Sequence, residues 1–432
     1  MTAATHSSHD PLSATDAGER AVARCDALGV PPYSEAADML FRPYLSSAHR
    51  AALEALSAWM AEAGMTVRMD GAANLIGRYE GRERGAPAMT IGSHIDSVRN
   101  GGRYDGALGV MLGVEVVQAL HDRRSRLPFA VEVIAFGDEE GSRFPTSMTC
   151  SRAVAGTADL SVLDQWGPDG VALVQALADF EPGLPPFSSA ARRPGDVLAY
   201  LEAHIEQGPV LEAEGLGIGV VTAIAAQKRL SARFTGMAGH AGTTPMDLRR
   251  DPGPAAAEAI LLVERVCGAE PGLVGTVGRI AALPGAVNVI PGEIVFSIDV
   301  RAPTAERRDA AAALIGAGVA EIAARRGLGQ SVVVDQALDA SPCDPDLTAL
   351  LETAVAGVGV AVRRLPSGAG HDAMVMADLC PTAMLFLRCR GGISHNPAES
   401  VSPADAALAV RAMSRFIEAL AESWPPTQTP PG

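Results

Sequence analysis

Gly92–Gly109, GSHIDSVRNGGRYDGALG, follows directly on the apolar run Ala88–Ile91 (AMTI). His94, Asp96 and Asp105 thus stand in a Gly-rich, polar segment where a β-type run ends. Beyond it, Gly106–Leu120 has helical apolar spacing with small residues at its start. The next β-type run, Val131–Phe136 (VEVIAF), ends in the same manner, at Gly137-Asp138-Glu139-Glu140. Strand, polar loop, helix, strand is the order of an α/β unit, whose ligands gather at the carboxyl ends of the strands. Upstream, Ser46–Ala63 reads as a helix between a Ser start and a Gly64 stop, followed by strands over Thr66–Met69 and Asn74–Tyr79. The fold class expected is α/β, a mostly parallel sheet flanked by helices.

Between Gly215 and Gly329 the texture changes. Short β-type runs (Gly219–Ile224, Lys228–Thr235, Gly275–Ile280, Glu293–Val300) alternate with two helical runs, Gly253–Val266 and Ala305–Arg325. This pattern predicts a small α+β domain inserted in the first. From Val332 the α/β texture returns, with a strand at Val332–Val334, a helix at Asp344–Val355, a strand at Ala383–Phe386 and a last helix at Pro403–Ser423. The expected division is therefore 15–214 and 331–424 for one domain and 215–330 for the insert.

A chain of 432 residues is long for a single core. Its 48% hydrophobic and 20% charged residues are those of a soluble globular protein. A net charge of −15 argues against a nucleic-acid partner, since a phosphate backbone wants a basic face, and otherwise reads as solubility. The six cysteines are scattered with no CxxC, as in a cytosolic protein with reduced thiols. The start, MTAATHSSHDPLSATD, lacks the basic and apolar regions of a signal peptide, and no apolar run approaches the ~20 residues of a membrane span. The first ~14 residues, with His6 and His9, and the tail from Pro425 are expected to be disordered.

Four further stretches share the chemistry of the opening one: Asp138-Glu139-Glu140, His204-Ile205-Glu206-Gln207, Gly239-His240 and Ser394-His395-Asn396. Each alone has a bland reading. His94 and Asp96, two apart on an extended segment, point the same way, so Asp96 can orient a ligating His94; a histidine satisfied by a local Asp looks the same. Asp105 between glycines is either a carboxylate open to close approach or an Asp-Gly turn. Glu139-Glu140 at a strand end repel unless a cation or proton lies between them, and one can bind metal while the other acts as general base; a solvated acidic turn is the alternative. His204 can equally be a buried structural histidine. Together, the imidazoles and carboxylates suit two divalent metals about 3.5 Å apart sharing one carboxylate.

Gln207 can donate to and accept from an amide or ureido group. Arg301 (SIDVRAP) ends a β-type run and suits a bidentate pair with a carboxylate, or is a surface arginine. The Gly370-His371 loop (PSGAGHDA) can offer backbone N–H groups to an anion, or is a turn that needs small residues.

These motifs, in order over residues 20–420, resemble the dinuclear-metal amidohydrolases: allantoate amidohydrolases, N-carbamoyl-L-amino acid hydrolases, β-ureidopropionases and ureidoglycolate amidohydrolases. The segments LFLRCRGGISHNPAES and LPSGAGHDAM look closest to allantoate amidohydrolases. The resemblance implies a zinc-exopeptidase-like sheet with an inserted lid and dimerisation domain, and two divalent ions (Zn²⁺ or Mn²⁺, with Co²⁺ or Ni²⁺ also suited). Asp105 would bridge them, His94 and His204 would complete one site, and Glu140 and His395 the other. Glu139 would be the general base and Asp96 the support of His94. His240, Asn288 and Arg301 match substrate contacts of the inserted domain, and Gln207, Gly370 and His371 those of the catalytic domain. His240 and Asn288 would come from the partner subunit, and His240 would also steady the oxyanion. The implied enzyme is a cytoplasmic homodimer acting on a small acidic ureido substrate, with no nucleic-acid or membrane partner. Allantoate is the substrate expected. An N-carbamoyl-L-amino acid is the alternative within the class, and a non-catalytic metal-stabilised binding protein the alternative outside it.

Overall fold

The apolar run at Ala88 becomes the strand Ala88–His94, with every residue buried, so that His94 is the last residue of a core strand. The computed structural model describes residues 14–423. The expectations for the two termini, His6 and His9 included, lie outside the described residues. In one sheet, Ala88–His94 lies between Ala130–Phe136 and Val197–Ile205, parallel to both, and Thr382–Leu387 continues the parallel run beside Val197–Ile205. These four strands are buried on both faces nearly throughout and mostly apolar, with buried polar residues such as Glu132, Glu202 and His204 among them. Antiparallel strands flank this parallel run: Leu75–Tyr79 and Thr66–Met69 on one side, Ile218–Ile224 on the other. The helix Ala107–Asp122 starts two residues after Asp105 and is buried over most of its length. The helix Ser47–Glu62 starts where the sequence predicts, with the Ser46 hydroxyl accepting the His49 amide.

The chain forms two compact units. The first takes the chain through Thr222, Cys343–Leu365 and the residues from His371; the second is Ala223–Pro342 with Pro366–Gly370. The second unit has its own five-stranded antiparallel sheet, ordered Ile280–Leu283, Glu293–Ala302, Ala226–Thr235, Gly329–Leu338, with Val274–Thr276 also paired to Glu293–Ala302. Burial alternates residue by residue along Glu293–Ala302. The inward residues Phe296 and Ile298 join Phe234 and the apolar sides of helices Pro252–Gly268 and Ala305–Arg326 in one core.

Two expectations are corrected. The run Gly219–Ile224 belongs to the large sheet, because it is mostly buried and pairs with Thr382–Leu387. The run Val332–Val334 does not return to the first domain. It lies in Gly329–Leu338, an exposed edge strand paired along its length with Ala226–Thr235. The boundary of the second unit accordingly falls at 223 and 342 rather than at 215 and 330.

Candidate metal centre and active site

His94 and His204 end neighbouring parallel strands and face one another. Their Nε2 atoms are 3.5 Å apart and their rings stack with centroids 5.7 Å apart. The other nitrogen of each ring is committed. His204 Nδ1 is 2.9 Å from the Ile205 carbonyl, and His94 Nδ1 is 3.2 Å from the Asp96 carbonyl and 3.4 Å from its carboxylate. A carbonyl can only accept, so each Nδ1 carries a proton and each Nε2 is the nitrogen turned to the cluster. Two buried imidazole nitrogens facing at this distance need a cation or a proton between them.

Asp105 supplies the charge. Its Oδ1 lies 3.1 Å from His204 Nε2 and 3.7 Å from His94 Nε2, while its Oδ2 lies 3.2 Å from His395 Nε2. His395 is in turn 3.4 Å from Glu140 Oε1. Potential ligand atoms of His94, Asp105 and His204 converge within 4.8 Å of one another, and so do those of Asp105, Glu140 and His395. Asp105 is common to both groups. A third grouping, His94 with Glu139 and Glu140, overlaps them. Imidazole nitrogens and carboxylate oxygens around a shared aspartate fit a pair of borderline-to-hard divalent ions.

Glycines make room for this cluster at two points. Gly106 has φ +65°, and a Cβ there would enter the His94 ring. A Cβ on Gly102 would enter the Glu399 carboxylate. That carboxylate accepts the Tyr104 and Asp105 amides at 2.8 and 3.0 Å, which pins the backbone of the central aspartate.

Asp96 organises the acidic turn as well as His94. Its two carboxylate oxygens accept the amides of Glu139 and Glu140, each at 3.2 Å. The Glu139 carboxylate has no hydrogen-bond partner among the described residues. Burial, followed by the charges of Glu140, Asp372 and Asp96, pushes Glu139 well above the usual carboxylate range; the nearby His94 opposes this. Burial together with Asp105 and Asp96 pushes Glu140 up to about 7. The hydrogen bond to Asp105 takes His395 up to about 9. Burial alone would lower His94, and the bonds to Asp105 and Asp96 overcome it. Bonds from three imidazoles overcome burial to hold Asp105 well below its ordinary value. Such opposed shifts in a small volume are the electrostatic mark of a site built for a cation.

The remaining expected contacts fall in different places. Gln207 has a positive φ of 56° and turns its Nε2 onto Asp105, at 3.1 and 3.3 Å from the two oxygens. Its amide is thus engaged at the cluster rather than free. His371 is buried with its ring 4.4 Å from that of His204. Burial and the neighbouring His204 hold its imidazole well below the ordinary value, hence neutral. Gly370 belongs to the second unit by its contacts, as do His240, Asn288 and Arg301. Within that unit His240 and Asn288 are brought together. Strand Gly239–His240 pairs with Val289–Ile290, and Ala241 donates to the Asn288 carbonyl. His240 Nδ1 accepts the Gly242 amide at 3.1 Å, leaving Nε2–H as an outward donor. Arg301 is not a free surface arginine. It forks onto Asp299, with bonds of 3.2 and 3.0 Å, and donates to the Gly368 carbonyl.

The model of Peptidase family M20/M25/M40 matches residues 90–419, a span that contains every residue of this cluster. The chain belongs to this family. It is a hydrolase of C–N bonds, of the amidohydrolase class. An N-carbamoyl-L-amino-acid amidohydrolase of Pseudomonas sp. (strain NS671) is 42% identical over 359 residues, covering 82% of this chain and 87% of that one. An allantoate deiminase of Arabidopsis thaliana is 38% identical over 431 residues, covering 93% and 82%. The solved structure of an amidase of the hydantoinase/carbamoylase family from Burkholderia multivorans superposes with a TM-score of 0.87 at 34% identity, over 94% of this chain and 98% of that one.

Three members of the site have roles that the sequence reading did not assign. Ser394 donates to Asp105 Oδ2 at 2.9 Å and accepts from Gln207 at 3.1 Å. Glu399, four residues beyond His395, holds the Asp105 backbone. Glu202, two residues before His204 on the same strand, accepts from Ser93, Tyr200 and the Ala373 amide. The first two lie inside the motif SHNPAE, and Glu202 shares the strand face of His204, so position relative to a histidine was the available signal.

Proposed function

We propose that this chain hydrolyses the terminal ureido C–N bond of allantoate, with one water giving ureidoglycine, ammonia and carbon dioxide. The observation that carries the reading is the convergence of His94, His204, His395 and Glu140 on Asp105, with the uncommitted Glu139 carboxylate beside them. His94, Asp105 and His204 would hold one divalent ion, and Asp105, Glu140 and His395 a second, Zn²⁺ or Mn²⁺ being the best matched. Bound there, the ions supply Lewis acidity, acidifying water and polarising a carbonyl. Glu139 takes the proton from the attacking water and returns it to the departing nitrogen. Asp96 keeps Glu139 in place through its amide and keeps the His94 tautomer. Gln207 and His371 line the same cluster. Arg301 is assigned to the substrate carboxylate, and, supplied by the partner subunit, Asn288 is assigned to a polar contact and the Nε2–H of His240 to the developing oxyanion. Gly370 offers its backbone. Arg301 already shares its fork with Asp299, so its anchor competes with an internal partner. The protein works as a cytoplasmic homodimer, a placement supported by six free, buried cysteines. No helix of the described residues is long and apolar enough to cross a membrane.

A second reading, N-carbamoyl-L-amino acid hydrolysis, draws on the 42% identical relative of that name. Ammonia and free α-amine release from allantoate and from N-carbamoyl-L-amino acids, after chelation and reloading with Mn²⁺ or Zn²⁺, separates the two. Metal-dependent turnover of allantoate alone is the expected result. Turnover of carbamoyl amino acids alone moves the substrate and leaves the site intact, and turnover of neither overturns the class of substrate.

A further inference from the structure

A cleft of about 750 Å³ opens in the first unit with Glu140 in its wall, so it adjoins the Asp105–Glu140–His395 group. Phe41, Pro43, Leu45, Val98 and Pro168 give its walls an apolar part, beside a polar part of similar extent. Its charged groups are not equally available. Glu35 is committed to the start of helix Ser47–Glu62, accepting the Ser47 hydroxyl and the Ala48 amide, each at 2.8 Å. Arg143 is fixed by the Tyr44 and Leu45 carbonyls at 3.0 and 2.8 Å and pairs with Asp169 at 2.9 Å. Those bonds tie three chain segments into one rigid wall. Arg99 is different. Its guanidinium lies over the Phe41 ring, 4.1 Å from the centroid, and it has no hydrogen bond or ion pair among the described residues. Stacking orients a guanidinium and leaves its in-plane N–H donors open.

We propose that this cleft is the subsite for the part of the substrate beyond the scissile ureido group, and that Arg99 gives it a preference for hydrogen-bond-accepting or anionic substituents over bare aliphatic ones. The proposal rests on the ureido-hydrolase reading above and extends it to substrate selection. With the reacting carbon at the ligand cluster, the rest of a small ureido acid must leave past its rim. Glu140 is the rim residue shared by cluster and cleft. The apolar part of the wall accepts a short methylene chain, and the one uncommitted cation of the cleft rewards an acceptor at its end. The carbonyl of a second ureido arm satisfies that demand, and so does a side-chain carboxylate.

The test compares N-carbamoyl-L-glutamate with N-carbamoyl-L-norvaline, which share the carbamoyl and α-carboxylate groups and differ at the chain end. The readout is the ratio of their kcat/KM values in the metal-loaded full chain. Arg99→Ala is expected to lower the glutamate-to-norvaline ratio about fivefold, as loss of a partly solvated charged hydrogen bond does, and Arg99→Glu to lower it further. Arg84→Ala removes an exposed arginine outside the cleft and leaves the ratio where it is in the wild type. A ratio unmoved by both Arg99 substitutions overturns the proposal. A wild type that hydrolyses neither compound is the outcome strict allantoate specificity gives, and the ureido reading is then judged on allantoate turnover. The ratio of calorimetric Kd values for the same two compounds then reads the cleft without turnover. A binding ratio insensitive to Arg99, or no binding of either compound, overturns the subsite too.

Discussion

Glu139 and Glu140 are adjacent and chemically alike, yet their surroundings separate them. Glu140 reaches His395, whereas Glu139 keeps a carboxylate with no partner among the described residues. Glu139→Gln keeps size and shape and removes only the basic oxygen. It is expected to retain metal, measured by elemental analysis, while kcat for the ureido substrate falls by about 10²–10⁴. Full turnover in that variant would remove Glu139 from its role as base. A second titrating residue acts on stability rather than chemistry. His49 is fully buried, stacked on Phe180 with ring centroids 5.3 Å apart, and its Nδ1 accepts the Leu45 amide. Burial, reinforced by the charges of Arg42, Arg50 and Arg143, pushes it down to about 3. The unfolded chain binds a proton at His49 near pH 6.5 that the folded chain refuses. Its contribution to stability is therefore present above that pH and lost as pH falls towards 3. Between pH 7 and pH 5 the loss is about 2 kcal/mol. In His49→Gln the fall in unfolding free energy over that interval is expected to be smaller by this amount, as read from denaturant melts at the two pH values. Equal falls in both proteins would assign the pH dependence elsewhere.

Helix Ala107–Asp122 and the strands beneath it carry the site, and the contact between them has no slack. A Cβ on Gly109 would collide with the Ala203 carbonyl oxygen and come within 2.9 Å of Ser93 Cβ. Those atoms sit one residue from His204 and from His94. Alanine is worth about 1 kcal/mol over glycine inside a helix. A backbone oxygen in a buried strand cannot move aside, so overpacking by about 1–3 kcal/mol wins. Gly109→Ala is expected to lower Tm and weaken metal binding. Gly113→Ala, one turn on, meets only side-chain methyls of Ile91 and Val133 at 3.0–3.3 Å and is expected to lower Tm less. The reverse order in a calorimetric comparison would refute this account of the packing. The helix and the strand Ala88–His94 were legible in the sequence because their apolar periodicity is clean. The strand Val197–Ile205 was not. Its VLAYLEAHI places Glu202 and His204 at positions that are buried all the same, and a polar residue in a strand erases the apolar run by which a buried strand is recognised. The ligand motifs were readable one by one, since each carries its own imidazole or carboxylate. Their partners were not, because Glu399 meets Tyr104 and Asp105 across almost three hundred residues of chain. Arg301 was visible as a residue, while its pairing with Asp299 two positions earlier required the strand geometry.

At the scale of the whole molecule, the five candidate metal ligands all lie in the first unit, although they come from residues 94 to 395. They arrive from strand ends and loops on both sides of the second unit in sequence. A metal ion that joins them ties the N-terminal part of that unit to its C-terminal part without touching the sheet formed by Ala226–Thr235, Glu293–Ala302 and Gly329–Leu338. Binding to the folded state alone stabilises by mass action, about 2.7 kcal/mol at a free metal concentration one hundred times Kd. That stabilisation should be local to the segments the ligands come from, because local opening of each exposes a different subset of the cluster. Hydrogen exchange of the chelated chain, before and after Mn²⁺ or Zn²⁺ is restored, is expected to slow at the ends of Ala88–His94 and Val197–Ile205, in the Glu139–Glu140 turn and around His395. Exchange in the sheet of the second unit should stay as it was. Protection that rose equally in both units would mean that the metal stabilises the chain as one cooperative block. Protection that rose at none of the ligand segments would mean that the convergence on Asp105 is a network of hydrogen bonds and ion pairs, complete without metal.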